Sequence, residues 1–386
     1  MSLRVFILAG EPSGDRLGGA LMAGLKQLSP EISFDGVGGQ MMSDQGLVSQ
    51  FPMDELSVMG LAEVLPKYQH LKRRIREVAE AVITSKPDVL ITIDAPDFSL
   101  RVAKLVKKSS SIRTVHYVAP SVWAWRPGRA KRMARVIDQV LALLPFEPRF
   151  MQAAGMECDF VGHPVVAEPQ ATPNEISQFR AEMGLGDTPF VLALPGSRRS
   201  EVERLAPVFG EALAAFCKSH PNMRVIVPAA APVADLVRDK LQSWPGDALV
   251  LDPRDYEPAT AQSHKRAAFA AADLALAASG TVSLELAAAN TPMVIAYKFQ
   301  WLTWQIMKRM ALIDTVTLVN LVTCSRVVPE CLGPECTADN ISTALSQVAS
   351  NPQTQHQAMA LTMSQLGLDG EAPGLRAARA VLERLG

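Results

Sequence analysis

Residues 93–98 read Ile-Asp-Ala-Pro-Asp-Phe and place Asp94 and Asp97 just past a short apolar run. A carboxylate at the end of a strand can take a proton from an attacking alcohol, which makes Asp94 the candidate general base. Asp97 either orients it or caps a helix beginning at Phe98. Residues 9–15, AGEPSGD, follow another apolar run. Glycine allows close backbone approach there, and Ser13 or Asp15 can cap the next helix. Glu11 and Asp15 suit sugar hydroxyls better than phosphate. Residues 116–129, HYVAPSVWAWRPGR, bring Trp123, Trp125, Arg126 and Arg129 together after a third apolar run. Such a loop, at the carboxyl end of a strand, is where open α/β sheets bind ligands.

The second half carries a different chemistry. Leu194-Pro195-Gly196-Ser197-Arg198 and Ala278-Ser279-Gly280-Thr281 each lie between an apolar run and a helical pattern. Backbone N–H groups at such a place receive anions, and Arg198 adds a charge-assisted contact. Glu285 lies one helical turn beyond Thr281, where it can accept from both hydroxyls of a ribose. Two anion-binding loops with a ribose-type glutamate point to a nucleoside diphosphate. The chain has no Asp-x-Asp, no phosphate-binding Gly-x-x-x-x-Gly-Lys and no Gly-x-Ser-x-Gly, so a departing diphosphate must be neutralised by helix ends and arginine. Gly36–Met41, GVGGQM, lacks the third glycine of a dinucleotide fingerprint. His116 and His163 lack a metal-ligand partner at useful spacing and read as packed or hydrogen-bonding histidines.

The elements that position these loops alternate. Strands are expected at 4–9, 34–37, 89–93, 114–118, 139–142 and 158–161, with helices at 16–28 and 68–83 between them. A proline- and alanine-rich stretch at 164–173 reads as a linker. Further strands are expected at 190–194, 224–227, 248–251, 274–277 and 293–297, with helices at 201–219, 231–243, 264–271 and 282–289. Short strands separated by helices imply parallel, doubly wound α/β sheets. The expected division is a first Rossmann-like domain over 1–165, a second over 174–365, and a C-terminal helix over 366–386 packing back on an N-terminal domain. A ligand cleft is expected between the two domains. Residues 302–311 form an amphipathic segment, read as a packed helix or as an interfacial one.

Composition bounds the partners. The chain has 386 residues, 48% of them hydrophobic, and a net charge of −1. Residues 66–149 nevertheless hold 17 Lys and Arg against 7 Asp and Glu. That basic field attracts phosphates or an anionic membrane surface. Nucleic acid is not expected, because stacking aromatics interleave with the charge only at Trp123 and Trp125. Five cysteines without paired zinc spacing read as reduced thiols of a cytoplasmic protein. No apolar run is long enough to span a bilayer.

Together these motifs resemble lipid-A-disaccharide synthases, a bacterial glycosyltransferase family. AGEPSGD (9–15), ELSVMGLAEVL (55–65), IDAPDF (93–98), HYVAPSVWAWRPGR (116–129), LLPFE (143–147) and VGHP (161–164) carry the resemblance, and LPGSR with Glu201 and ASGT with Leu284-Glu285 extend it. It implies a GT-B architecture of two facing Rossmann-like domains and metal-independent, inverting hexosyl transfer without a cofactor. It implies UDP-2,3-diacylglucosamine as donor and 2,3-diacylglucosamine 1-phosphate as acceptor, giving the β-1,6-linked disaccharide phosphate and UDP. Carried onto this chain, Asp94 is the base, and Glu11, Ser13, Asp15 and Asp97 bind sugar or acceptor groups. Arg126 and Arg129 bind the acceptor phosphate, while Trp123 and Trp125 support the loop or meet acyl chains. Gly196, Ser197, Arg198, Ser279, Gly280, Thr281 and Glu285 bind UDP. Residues 57–65 are expected to meet lipid or pack in the core. A peripheral place on the cytoplasmic face of the inner membrane follows, with a homodimer as a candidate assembly. The alternative is another UDP-GlcNAc enzyme of the same architecture, an epimerase or a peptidoglycan-type transferase.

Overall fold

The structure, a computed structural model, describes residues 3–56, 61–242, 244 and 248–385. The chain forms two compact units, Met1–Ala167 with Leu366–Gly386, and Glu168–Gln365. Among the described residues each holds one six-stranded, wholly parallel sheet.

The first unit runs β1 (Arg4–Ala9), α1 (Pro12–Leu28), β2 (Ser33–Val37), α2 (Gln40–Ser43), α3 (Leu61–Ser85), β3 (Val89–Ile93), α4 (Pro96–Ser109), β4 (Arg113–Tyr117), α5 (Gly128–Met133), β5 (Gln139–Ala142), α6 (Pro148–Gln152) and β6 (Glu157–Phe160). Its strand order is β2-β1-β3-β4-β5-β6. The β1 strand shows why the sheet is covered on both faces. Val5, Ile7 and Ala9 join one apolar cluster with Leu21 and Leu25 of α1, while Phe6 and Leu8 join another with Val78 and Val82 of α3 and Val102 of α4. Side chains alternate along a strand, so a run apolar at every position needs helices on both sides.

The second unit runs α7 (Pro173–Glu182), β7 (Phe190–Leu194), α8 (Arg199–Ser219), β8 (Arg224–Pro228), α9 (Ala234–Leu241), β9 (Leu249–Leu251), α10 (Pro258–Ala271), β10 (Leu274–Ala278), α11 (Val282–Ala288), β11 (Met293–Tyr297), α12 (Trp301–Met310), α13 (Leu318–Val322), β12 (Glu330–Leu332), α14 (Ala338–Ser350) and α15 (Gln353–Gln365). Its order is β12-β11-β10-β7-β8-β9. The chain then returns to the first unit, where α16 (Pro373–Glu383) lies on α1 and contributes Ala377, Ala378 and Val381 to the core. A Cβ built at Gly24 would stand 2.7 Å from the Gly374 carbonyl oxygen, and one at Gly374 would stand 2.6 Å from that of Ala20. The two helices touch through their backbones at these glycines.

Five helix starts fall earlier than the sequence pattern indicates, and three of them are at prolines. α1 begins at Pro12, α4 at Pro96 and α10 at Pro258. Proline has no N–H to lose in the first turn and its fixed φ suits that position. The strand β12 has no sequence counterpart, being only three residues long at a sheet edge.

Candidate active site

In the first sheet the strand order reverses between β1 and β3, with Ala9 paired to Ile93. Loops leaving such a switch point diverge and open a crevice at the carboxyl ends of the strands. The loop after β1 carries Glu11, and the loop after β3 carries Asp94. They are close neighbours, since a Cβ on Gly10 would lie 3.1 Å from that of Ala95. The third loop, after β4, joins them because the Asp94 N–H donates to the Tyr117 carbonyl at 3.0 Å. Glu11, Asp94 and the 116–129 loop are thus gathered along one sheet edge.

The backbone at that edge is strained. Asp94 (φ 50°), Ala95 (φ 42°), Val118 (φ 85°) and Arg126 (φ 50°) all lie in the left-handed region. For β-branched Val118 this is a true outlier. Such conformations persist when neighbouring bonds enforce them, and they gather at functional sites. The enforcing bonds are visible: the Ser99 hydroxyl donates to the Asp94 carbonyl at 2.8 Å, and the Val118 N–H donates to the Leu141 carbonyl at 3.0 Å. The Asp94 side chain is half-buried, and burial pushes its pKa above the usual carboxylate value, with the Ala95 N–H opposing. A carboxylate raised in this way is a stronger base at neutral pH.

Two acids have other positions than expected. Asp15 is buried, and its carboxylate accepts from the N–H groups of Gly39 (2.8 Å), Met41 (3.0 Å) and Met42 (3.1 Å). It therefore holds the start of α2 and the 36–41 loop rather than capping α1, and its oxygens are committed to backbone. Asp97 is exposed in the first turn of α4, which starts at Pro96, and no side chain caps that helix. Glu11 stands at the N-cap position of α1 without a side-chain cap bond, and Ser13 is exposed in the first turn.

The Trp-Arg loop is built in two layers. Ala119 and Val122 are buried with Met133 and Ile137, anchoring it below. Above, Trp125 is half-buried and carries Arg126 and Arg129 over its ring, at 4.3 Å and 5.9 Å from the ring centroid. Trp123 supports the loop: its ring meets Phe146 edge-on at 5.1 Å and its indole N–H donates to Glu147 at 3.1 Å. His116 is buried beside Thr92, its Nδ1 2.8 Å from the hydroxyl, and burial lowers its pKa to about 4. His163 is likewise lowered to about 4 by burial, and its Nδ1 accepts from the Val165 N–H. Both are neutral packed histidines. Residues 57–60 lie outside the described residues, as do the side chains of 61–68, and the expectation for 57–65 falls there.

The second sheet reverses between β7 and β10, with Leu194 paired to Ala277. The loops expected to bind UDP leave from these two strands. They line a cavity of about 570 Å³ that includes Gly196, Ser197, Arg198, Ser279, Gly280, Thr281 and Glu285. Gly196 is required on two grounds: its φ is 118°, and a Cβ there would lie 2.6 Å from Glu201. Glu201 accepts from the Ser197 N–H at 3.2 Å and pairs loosely with Arg198 at 3.5 Å, so an acid already occupies the anion-binding turn. Glu285 pairs with Lys265 of α10 at 2.5 Å. Lys265 escaped the sequence reading because nothing local marks which face of α10 meets α11. Tyr256 and the buried Asp252 add to the lining. Asp252 is held by Arg254, which keeps its carboxyl below the usual range.

Two doubly wound parallel units, one with a half-buried carboxyl of raised pKa at its switch point and one with a cavity lined by its strand-end loops, form a two-domain Rossmann-like architecture of the GT-B type. The UDP-GlcNAc 2-epimerase from Neisseria meningitidis, solved bound to UDP-GlcNAc, has a similar fold, with a TM-score of 0.64, 13% identity and coverage of 100% of this chain and 99% of that one. A putative UDP-N-acetylglucosamine 2-epimerase from Listeria monocytogenes is similar to the same degree, with a TM-score of 0.64 at 14% identity, covering 99% and 95%. At such identities the likeness is one of fold. The chain belongs to the lipid-A-disaccharide synthetase family, whose sequence profile matches residues 5–377. It is 69% identical over 383 residues to the lipid-A-disaccharide synthase of Ruegeria pomeroyi, covering 99% of this chain and 96% of that one. It is 43% identical to that of Rhodospirillum centenum, covering 98% and 94%. The chain is a glycosyltransferase of lipid A biosynthesis, and its family implies a UDP-sugar donor and a sugar-phosphate acceptor.

Proposed function

We propose that the chain transfers 2,3-diacylglucosamine from its UDP donor to the 6-hydroxyl of 2,3-diacylglucosamine 1-phosphate. Asp94 takes the hydroxyl proton while the acceptor oxygen bonds to the anomeric carbon. The bond from that carbon to the diphosphate breaks with inversion, and UDP leaves with the electron pair. The Gly280–Thr281 backbone, with Arg198, receives the developing charge, and the Ser197 N–H can join only once Glu201 releases it. Glu285, steadied by Lys265, accepts from the ribose. Glu11 and Ser13 bind acceptor hydroxyls, Arg126 and Arg129 its phosphate, and Asp97 stands at the rim. Asp15 is left out of the contact set because its oxygens are taken by backbone.

The observation that carries this reading is Asp94, a half-buried carboxyl with a raised pKa at the topological switch of the first sheet. The basic 66–149 stretch suits a peripheral place on the anionic inner face of the cytoplasmic membrane, and no helix among the described residues is long and apolar enough to cross one. Incubation of the protein with both lipid sugars should yield UDP and a tetraacyl disaccharide phosphate by mass spectrometry, with or without chelator. Asp94→Ala should lower turnover by at least about 10²-fold with UDP affinity nearly intact. Turnover of UDP-GlcNAc alone, or near-normal rates for Asp94→Ala, would eliminate the assignment.

A further inference from the structure

Glu147 takes no part in the chemistry above, yet it is 4% exposed and fully engaged. Its Oε2 accepts from the N–H groups of Leu143 (3.1 Å) and Leu144 (3.0 Å), and its Oε1 from the Trp123 indole. The first two bonds close the turn after β5. The third reaches across to the loop after β4. Burying a carboxyl is unfavourable, and an apolar side chain would fill the same space without that penalty. What the carboxyl group adds is an acceptor oxygen for the indole N–H, which an apolar side chain lacks. Two residues beyond Trp123 stands Trp125, on which Arg126 and Arg129 stack.

We propose that Glu147 is a positioning residue, which by holding Trp123 fixes the Trp125–Arg126–Arg129 face in the geometry that receives the acceptor phosphate. The inference rests on the acceptor reading given above. Glu147→Gln separates the two halves of the contact. With the amide oxygen on Leu143 and Leu144, the amide NH₂ faces the indole N–H, donor against donor, so the turn survives and the tether is lost. Trp123→Phe removes the same bond from the other side and keeps a ring against Phe146.

Each variant should raise the acceptor KM about tenfold, with kcat within about twofold of wild type. UDP affinity should be unchanged. The double variant should be no worse than either single one, because both remove one bond. Arg126→Ala and Arg129→Ala serve as the parallel test of the acceptor reading. If they raise the acceptor KM while Glu147→Gln and Trp123→Phe do not, Glu147 is a brace only and the proposal falls alone. If none of the four moves it, the acceptor reading falls. Parallel losses in KM, kcat and UDP affinity would mark general misfolding and also overturn the proposal. Should Glu147→Gln fail to fold, Trp123→Phe decides by the same criteria.

Discussion

Burial raises the pKa of both Asp94 and Glu147, and pH separates their roles. In the proposed mechanism Asp94 must be ionised to accept a proton, so kcat should fall as pH drops through its raised value. Glu147 rises from 4.5 to about 7. Between those values the folded protein keeps a proton that the unfolded chain has released. The stability this group contributes is full below about pH 4.5 and is lost as pH rises through about 7. Urea unfolding of wild type should therefore show a lower midpoint at about pH 8 than at about pH 5 from this group, and Glu147→Gln should flatten that difference. An unchanged difference in the variant would assign the slope to other groups. At this scale the sequence was legible where placement is local: that Asp94 follows β3 and that Arg126 and Arg129 lie beside Trp125 can be read from type and spacing. Asp15 did not, because its partners lie 24 to 27 residues away and only tertiary packing brings them to it. The Glu285–Lys265 pair was hidden for the same reason.

Among the elements, the α1–α16 contact is the most exacting. Gly24 lies inside the 17-residue helix α1, where alanine is ordinarily better by about 1 kcal/mol. Here the added methyl would meet backbone, the Gly374 oxygen at 2.7 Å and the Leu375 Cα at 2.9 Å. Backbone cannot swing aside as a flexible side chain can, so overpacking prevails. Gly24→Ala should destabilise the protein by about 1–2 kcal/mol, read as a lower melting temperature in thermal denaturation. A raised melting temperature would show that the helices can part without loss. Most strand positions were readable in both sheets because parallel strands covered on both faces run to continuous apolar residues, as in Phe190–Leu194. Helix ends were less so, since the prolines at 12, 96 and 258 sit inside the first turn rather than before it. The edge strand β12 was not readable because three residues carry no periodicity.

For the molecule as a whole, the first unit is assembled from both ends of the chain while the second is one continuous stretch. Removing residues 366–386 strips Ala377, Ala378 and Val381 from the core formed with Leu21, Leu25 and Ile7. Calorimetry of that truncation should show the first unit's transition lowered or lost, with UDP still raising the transition of the second unit. A single unaltered transition would place the C-terminal segment outside the cooperative core. Folding during synthesis meets the same asymmetry. When α1 leaves the ribosome its seat for α16 is bare, and everything between Leu28 and Pro373 must be translated before the cover arrives. At about 5–20 residues per second that wait is on the order of tens of seconds. The second unit can close meanwhile from contiguous sequence, so the portion made first is the one finished last, and its open apolar groove is where a nascent-chain chaperone has the longest opportunity to bind.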